Sequence, residues 1–190
     1  LRAETDAPVM ECRAALVEAG GDFEKAKQIL REKGKAAAAK RSDRAPGEGI
    51  AAVAVSPDGK TMGVVVLECE TDFVARNEDF IKMSQQIAEM VRDAGSVPAD
   101  PHELTHHGVS VKALIEEAVG KIRENIKVAK AAVIKTEKTL ASYVHHDRKK
   151  AVIVEIEGGD GSAEVGRQLA IQSVAFLPDY ASRDQVPQSM

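Results

Sequence analysis

A strand followed by a helix occurs twice in this sequence, and this repeat constrains the fold more than any other feature. The segment Val65–Glu70 aligns with Val152–Glu157, and both are short apolar runs rich in the β-branched residues typical of buried strands. Each run precedes a segment whose apolar residues recur every three to four positions, which indicates an amphipathic helix. Two such halves packed together predict an α+β fold with a sheet in each half.

The residues before this core have helical periodicity. Asp22 can cap a helix whose apolar residues fall on one face, and Gly34 is a favourable residue for its C-terminal end. Lysine, arginine and alanine then dominate a short segment, which indicates a solvated, partly helical linker. The predicted divisions of the chain are a three-helix module over residues 1–34, a basic linker over 35–47, and two related core subdomains over 48–110 and 111–190.

The core contains further strand and helix patterns around the repeated segments. A turn signal at Ser56–Gly59 separates two apolar runs and predicts a hairpin. Asn77 is a favourable cap for the helix that follows the first repeated strand. The predicted elements are strands 50–55, 62–69, 127–135, 139–145 and 150–157, and helices 78–94, 111–125 and 163–176.

The composition indicates a globular protein and argues against several functional classes. Apolar residues make up 44% and charged residues 29% of the 190-residue chain, which is ordinary for a soluble domain. The net charge of −4 argues against nucleic acid as the main ligand, and no apolar run approaches the ~20 residues that cross a bilayer. Cys12 and Cys69 are far apart in the sequence, so we expect buried, reduced thiols in a cytoplasmic protein.

The two halves of the repeat differ in the segment that joins strand to helix. The first half inserts Thr71–Asn77, whereas the second has only the glycine-rich Gly158–Ser162. The insert places a carboxylate and a phenyl ring, Asp72 and Phe73, side by side where a strand ends and a helix begins. One interpretation is structural, with the ring in the core and the carboxylate at a helix start. Because a purely structural insert would be expected in both halves, the asymmetry favours a role in binding another protein.

Two motifs resemble those of the bacterial elongation factor Ts family. They are CETDFVARN at Cys69–Asn77 and TDAPVMECRAAL at Thr5–Leu16, and the resemblance extends from about Thr5 to about Pro187. It implies a guanine nucleotide exchange factor that binds the translational GTPase elongation factor Tu and promotes release of its GDP. It also implies a ubiquitin-associated-like fold for the N-terminal module. The family's first helix is shortened here, so we expect further residues before Leu1.

The resemblance implies a factor that acts by binding, without catalytic residues or a cofactor of its own. In the family, the Asp-Phe pair approaches the Mg²⁺ side of the partner's nucleotide site. Phe73 is thereby expected to insert between helices of the GTPase, and Asp72 to compete for hydrogen bonds that order the metal ligands. Thr71 and Val74 are expected to shape the turn beneath them.

Four more positions match family contacts with the GTPase. Val9 and Met10 stand where the family has two methionines that rest on the partner, although core positions in the helical module are an alternative interpretation. His145 fits the family's Tyr-x-His pattern. Gln172 takes the place of a family histidine, and its amide can hydrogen-bond but cannot titrate near neutral pH.

Two other functional classes remain open at the level of sequence. The basic segment Lys35–Arg44 is compatible with an RNA- or ribosome-binding module, whose binding would depend steeply on salt. His102, His106 and His107 are compatible with a small metal-dependent hydrolase, although no Cys or carboxylate spacing supports a closed site. Self-association is also compatible with the sequence.

Overall fold

Helices and strands are interspersed along the chain, and the predicted α+β class is confirmed. The computed structural model describes residues 1–5, 7–41, 45–159, 161–180 and 183–188. The helices are α1 (Arg2–Thr5), α2 (Val9–Glu18), α3 (Phe23–Arg41), α4 (Asp72–Ala75), α5 (Glu78–Ala94), α6 (Val111–Ile122) and α7 (Ser162–Phe176). The strands are β1 (Glu48–Val55), β2 (Thr61–Cys69), β3 (Thr105–His106), β4 (Val109–Ser110), β5 (Lys127–Lys135), β6 (Thr139–Val144) and β7 (Ala151–Ile156). Short 3₁₀ turns lie at Pro101–Glu103 and Arg183–Gln185.

A three-stranded antiparallel sheet with the order β1-β2-β5 forms the larger layer of the core. Its first two strands form the predicted hairpin around Ser56–Gly59, with Ile50 opposite Leu67. Both of these side chains are buried, because alternate residues of a strand face the same side of the sheet. The hairpin therefore fixes the end of β2 at Cys69, directly before the insert.

Helix α5 covers this sheet. Its apolar residues Phe80, Ile87 and Val91 fall on one face at helical spacing and are almost completely buried. Gly63 of β2 permits the close approach, since a Cβ at this position would collide with backbone atoms of Ala88 and Arg92. The helix is thus held directly against the backbone of the central strand.

Strand β5 joins the first sheet, although it follows the predicted subdomain boundary at residue 110. It pairs with β2 in antiparallel register, with one irregularity beside Val66 and Leu67. The pairing is favourable because Val128 is buried and Ala131 and Val133 pack against the same core as α5. The first sheet therefore includes residues from both predicted core subdomains.

A second, smaller sheet pairs β6 with β7, and α7 packs on it. The inward face of α7 carries small residues, Gly166, Ala170 and Val174, which are buried. A Cβ on Gly166 would come within 2.7 Å of the Ala141 methyl group. A sheet covered by one helix therefore occurs twice, at the two places where the repeat predicts a strand and a helix.

The predicted end of α3 at Gly34 is wrong, because the helix continues to Arg41. Gly34 instead faces Gly120 of α6, and a Cβ on either glycine would lie 3.6 Å from the other's Cα. The following alanine-rich residues have high helix propensity and extend the helix. Residues 42–44 of the predicted basic linker lie outside the described residues, and RNA binding by Lys35–Arg44 stays an untested prediction.

Other boundaries differ from the prediction by a few residues. Helix α6 ends at Ile122 because Arg123 adopts a left-handed conformation with φ of 70°. Strand β6 ends at Val144, one residue before the predicted end at His145. In the described part of the chain, no helix is both long and apolar enough to cross a membrane.

Candidate partner-binding surface

The insert between β2 and α5 forms a single helical turn, α4, with a side-chain cap at its start. The hydroxyl of Thr71 accepts a hydrogen bond from the backbone N–H of Val74 at 3.5 Å. Asn77 then caps α5, as predicted, and accepts hydrogen bonds from the N–H groups of Asp79 at 2.8 Å and Phe80 at 3.3 Å. Two caps in succession set the direction of the chain on both sides of the turn.

Phe73 points away from the protein, and 82% of its surface is exposed. The interpretation of this ring as a core residue is therefore wrong. The next two residues supply the inward contacts, because Val74 packs against the hydrophobic core and Ala75 is buried. Burying a Phe side chain is worth about 1.5–3 kcal/mol, so this ring retains apolar surface that a partner can cover.

Asp72 is the first residue of the turn and forms an ion pair with Arg76 at 3.3 Å, one turn along. Arg76 is largely exposed and Asp72 is about half exposed, and helical surface pairs of this kind are worth only about 0.3–0.5 kcal/mol. The carboxylate can therefore exchange Arg76 for another donor at little cost.

The turn is held from below by Glu124, which lies between α6 and β5. One carboxylate oxygen accepts hydrogen bonds from the N–H groups of Glu70 at 3.0 Å and Thr71 at 2.9 Å. The other accepts from the Thr71 hydroxyl at 2.5 Å. In return, the carboxylate of Glu70 accepts from the N–H of Asn125 at 2.7 Å. Glu124 and Glu70 thus connect the backbone before the turn to the segment between α6 and β5.

Cys69 fills the space under the start of the turn. Its side chain is completely buried, and its Sγ donates a hydrogen bond to the carbonyl oxygen of Thr71 at 3.3 Å. Burial, and then the nearby negative charge of Glu124, raise the pKa of the Cys69 thiol to about 11. The thiol is therefore neutral at physiological pH and acts as a packing group.

Val9 and Met10 begin α2 on the surface of the helical module, with 55% and 67% of their areas exposed. The alternative that they lie in the core is therefore wrong, because Cys12 and Ala15 occupy the buried face of this helix. The next residue, Glu11, forms an ion pair with Arg123 at the end of α6. This pair connects the exposed apolar residues of α2 to the same corner of the core that holds the Phe73 turn.

His145 lies at the turn between β6 and β7, beside Tyr143. Its Nδ1 is 3.4 Å from the Tyr143 hydroxyl, and its backbone N–H donates to the carbonyl oxygen of Lys150 at 2.9 Å. A cavity of 290 Å³ next to it is lined by Tyr143, His145, Lys150, Ile171, Val174 and Ala175. Gln172 is exposed on α7 directly after Ile171. The two residues predicted to contact the partner, His145 and Gln172, thus lie on neighbouring elements, the turn after β6 and helix α7.

The turn between β6 and β7 is also attached to the first sheet. The N–H of Ala51 donates to the carbonyl oxygen of Arg148 at 2.7 Å. Lys149 pairs with Glu48 at 2.6 Å, and this contact raises the pKa of the Lys149 ammonium. His145 therefore has a fixed position relative to β1 and, through the hairpin, to the end of β2.

The histidines considered as metal ligands are engaged in local contacts. The Nδ1 of His102 lies 2.7 Å from Asp100, and its Nε2 accepts from the N–H of Val128 at 3.5 Å. His106 contacts His107 edge to face, with ring centroids 4.1 Å apart. Over the residues that the structure describes, no three His, Cys, Asp or Glu side chains are grouped as metal ligands.

Sequence patterns alone did not identify Glu124 or Arg123. Both lie between a helix and a strand, where neither helical nor strand periodicity applies. Their partners, Thr71 and Glu11, are far away in the sequence. The only local signal is that a charged pair stands directly after the last apolar residue of α6, which is too common to indicate a contact.

Comparison with known proteins relates the chain to one family. A family profile described as Elongation factor TS matches residues 70–190. The elongation factors Ts of Thiobacillus denitrificans and Azoarcus sp. are 39% and 42% identical over 193 residues, which cover 100% of this chain and 64% of each relative. That of Arthrospira platensis is 41% identical over 192 residues, covering 100% of this chain and 76% of the relative. The chain thus spans 64% of the length of the first two relatives. It belongs to the elongation factor Ts family.

Proposed function

We propose that this chain is a guanine nucleotide exchange factor that binds elongation factor Tu and promotes GDP release during translation elongation in the cytoplasm. The observation that carries the proposal is the exposed ring of Phe73, which stands on a turn fixed by hydrogen bonds to Glu124. Family membership supports the identity of the partner. The exposed apolar pair Val9 and Met10 supports a second area of contact.

Exchange of this kind requires no covalent chemistry in the factor, so we propose no catalytic residue and no cofactor. A GTPase holds its nucleotide through backbone amides around the phosphates and through Mg²⁺. The factor binds the nucleotide-free GTPase more tightly than the GDP-bound form, and by linkage GDP weakens the binding of the factor to the same extent. Shifting such an equilibrium from 1:99 to 99:1 takes ~5.5 kcal/mol of differential affinity.

Phe73 and Asp72 supply the part of this affinity that acts on the nucleotide site. Phe73 inserts between helices of the GTPase domain, and a buried aromatic anchor of this kind contributes about 2 kcal/mol or more. Asp72 exchanges its weak pairing with Arg76 for donors that order the Mg²⁺ ligands of the partner. The loss of those hydrogen bonds weakens the hold on Mg²⁺ and GDP.

The other predicted contacts enlarge the interface beyond this turn. A stable protein–protein interface buries about 1,200–2,000 Å², which one helical turn cannot supply. Val9 and Met10 provide an adaptable apolar contact from the helical module. His145 and Gln172 provide a polar contact from the second sheet and α7. In this proposal, residues 1–34 have a ubiquitin-associated-like fold, and the core consists of two related subdomains.

The test is the rate at which elongation factor Tu releases fluorescently labelled GDP in the presence of the chain. Phe73→Ala should slow stimulated release roughly thirtyfold, which corresponds to the loss of about 2 kcal/mol of anchor energy. Phe176→Ala is the matched control, because that ring is 81% exposed but lies at the end of α7.

The control variant should stimulate release within about twofold of the unmodified chain, a difference of less than 0.5 kcal/mol. Equal losses in the two variants would attribute the effect to general loss of apolar surface and remove Phe73 from the mechanism. Absence of stimulation by the unmodified chain would refute the proposed function.

A further inference from the structure

We infer that Glu124 is a positioning residue that orders the Phe73 turn before a partner binds. The inference rests on the proposed function for its consequence in nucleotide exchange, but the positioning itself is a property of the free protein. Glu124 does not belong to the turn, and it is placed beneath it by the end of α6 and the start of β5.

Both carboxylate oxygens of Glu124 are used to hold the segment that leads into the turn. Oε2 accepts the N–H groups of Glu70 and Thr71, and Oε1 accepts the hydroxyl of Thr71. The reverse bond from the N–H of Asn125 to Glu70 makes the connection reciprocal. Hydrogen bonds to an ionised carboxylate are about twice as strong as those between neutral groups, so these contacts fix two successive peptide groups.

Glu124 also orients the hydroxyl of Thr71, which caps α4. A hydroxyl can donate only one hydrogen bond, and the Thr71 hydroxyl donates its bond to Glu124 at 2.5 Å. The lone pairs of the same oxygen are then free to accept the N–H of Val74 at 3.5 Å. The carboxylate thereby favours the orientation of Thr71 that supports the turn carrying Phe73.

Such support is needed because α4 has only four residues. An isolated helical turn is unfavourable, since it fixes several dihedral angles for one hydrogen bond. Phe73 itself contributes little packing to the turn, because its ring is largely exposed. Without Glu124, the partner would have to order the turn on binding, and the entropy of that step would be subtracted from the affinity.

The first experiment observes the turn in the free protein. The sequence contains no tryptophan, so Phe73→Trp introduces a single indole, whose fluorescence can be excited separately from that of the two tyrosines. In this background, Glu124→Ala should increase the amplitude of nanosecond motion in the time-resolved anisotropy of the indole. Glu137→Ala is the control, because Glu137 is an exposed carboxylate beyond the other end of β5. Equal anisotropy decays for the Glu124→Ala and Glu137→Ala proteins would overturn the inference, whatever the outcome of the exchange assay.

The second experiment measures whether Glu124 acts through the ring. With Phe73 present, Glu124→Ala should lower the rate of stimulated GDP release about tenfold, as expected for loss of preorganised contacts. In a background that carries both Asp72→Ala and Phe73→Ala, the same substitution should change the rate by less than about twofold, because both groups that the turn presents are missing. A tenfold loss in both backgrounds would show a general structural effect and contradict the inference.

A conservative variant keeps the test decisive if Glu124→Ala destabilises the protein. Glu124→Gln retains the shape and one acceptor oxygen but loses the charge, and its NH₂ group must face a donor. It should give an intermediate anisotropy change and a smaller loss of exchange than Glu124→Ala. Wild-type values in both measurements for a folded Glu124→Gln protein would show that the charged acceptor is not required.

Discussion

The two strand-to-helix junctions of the core share a frame but differ in construction. At the first junction, Thr71 and Asn77 cap successive helices, and Glu124 binds the backbone from below. At the second, Gly161 precedes α7 with φ of 85°, and a glycine has no side chain with which to cap a helix. The difference teaches that the same sheet-and-helix unit can carry either a short connection or an ordered turn that presents a ring to solvent.

The helices after these junctions differ in the size of the side chains that they bury. Helix α5 puts large side chains such as Phe80 and Ile87 into the core. Helix α7 puts small residues inward, whereas Val165, Leu169 and Phe176 are exposed on its outer side. The first half is therefore built around a large apolar core, and its single prominent exposed ring, Phe73, lies in the insert.

A methyl group added at each helix–sheet contact tests this contrast in packing. Gly63 lies in the strand beneath α5, and Gly166 lies in α7 itself. Gly63→Ala should lower the free energy of unfolding by about 3 kcal/mol or more, because the new Cβ would meet backbone atoms of α5. Gly166→Ala should cost less, about 1–2 kcal/mol, because the new Cβ would approach one atom below 3.0 Å, the Ala141 Cβ at 2.7 Å, and alanine favours the helix by about 1 kcal/mol. Urea denaturation of both variants gives the two values. Equal costs would mean that the two helix–sheet contacts are equally tight.

The ends of the two repeated strands, β2 and β7, differ in chemistry, because Cys69 of the first half aligns with Ile156 of the second. Only the thiol can lose a proton at alkaline pH, so a pH titration of stability measures its contribution. The pKa of the buried thiol rises from 9.0 to about 11, so the folded state retains the proton that the unfolded state loses. The resulting stabilisation is present below pH 9.0 and is lost as the pH rises to about 11. Relative to Cys69→Val, the unmodified protein should lose on the order of 2–3 kcal/mol of unfolding free energy over this range. Parallel pH profiles for the two proteins would show that the thiol does not titrate differently on unfolding.

Removal of a cap measures how much the first junction depends on its side chains. Asn77→Ala should lower the free energy of unfolding by about 1 kcal/mol, since two N–H groups of α5 lose their acceptor. Ser162→Ala at the start of α7 should cost less, about 0.5 kcal/mol, because its half-buried hydroxyl contacts Gly159 and Thr139 but does not cap the helix. Thermal unfolding at constant pH compares the two, and a larger loss for Ser162→Ala would reverse the proposed contrast.

The exposed ion pair on the turn should have the smallest effect on stability. Arg76→Ala removes the partner of Asp72 and should change the free energy of unfolding by less than about 0.5 kcal/mol. Chemical denaturation at low and high salt provides the measurement. A loss above 1 kcal/mol would mean that this pair, together with Glu124, is a main support of the turn.

Elements with a strong periodic pattern were predicted well from the sequence. The apolar stripe of α5 and its cap at Asn77 appear as predicted, because the signal and the structure are both local. The hairpin of β1 and β2 follows from its turn residues for the same reason. Family resemblance added the interpretation of Asp72 and Phe73 as contacts, and the exposure of Phe73 supports that proposal.

Features that depend on distant contacts were not predicted. Gly34 is a favourable helix end by residue type, but its role is decided by the opposing Gly120. The assignment of β5 to the first sheet depends on pairing with β2, which no local pattern shows. Glu124 is an ordinary charged residue until the fold brings it under Thr71. In each case the deciding interaction joins parts of the chain that are far apart.

Helix α3 crosses α6 at two glycines and continues without a break to Arg41. The close crossing and the ion pair between Glu11 and Arg123 hold the N-terminal helices at a fixed distance from the core. In the proposed function, a partner that has engaged Met10 therefore meets Phe73 at the high effective concentration of a rigidly joined pair. The combined affinity of the two small contacts, each weak alone, then depends on the fixed crossing of α3 and α6.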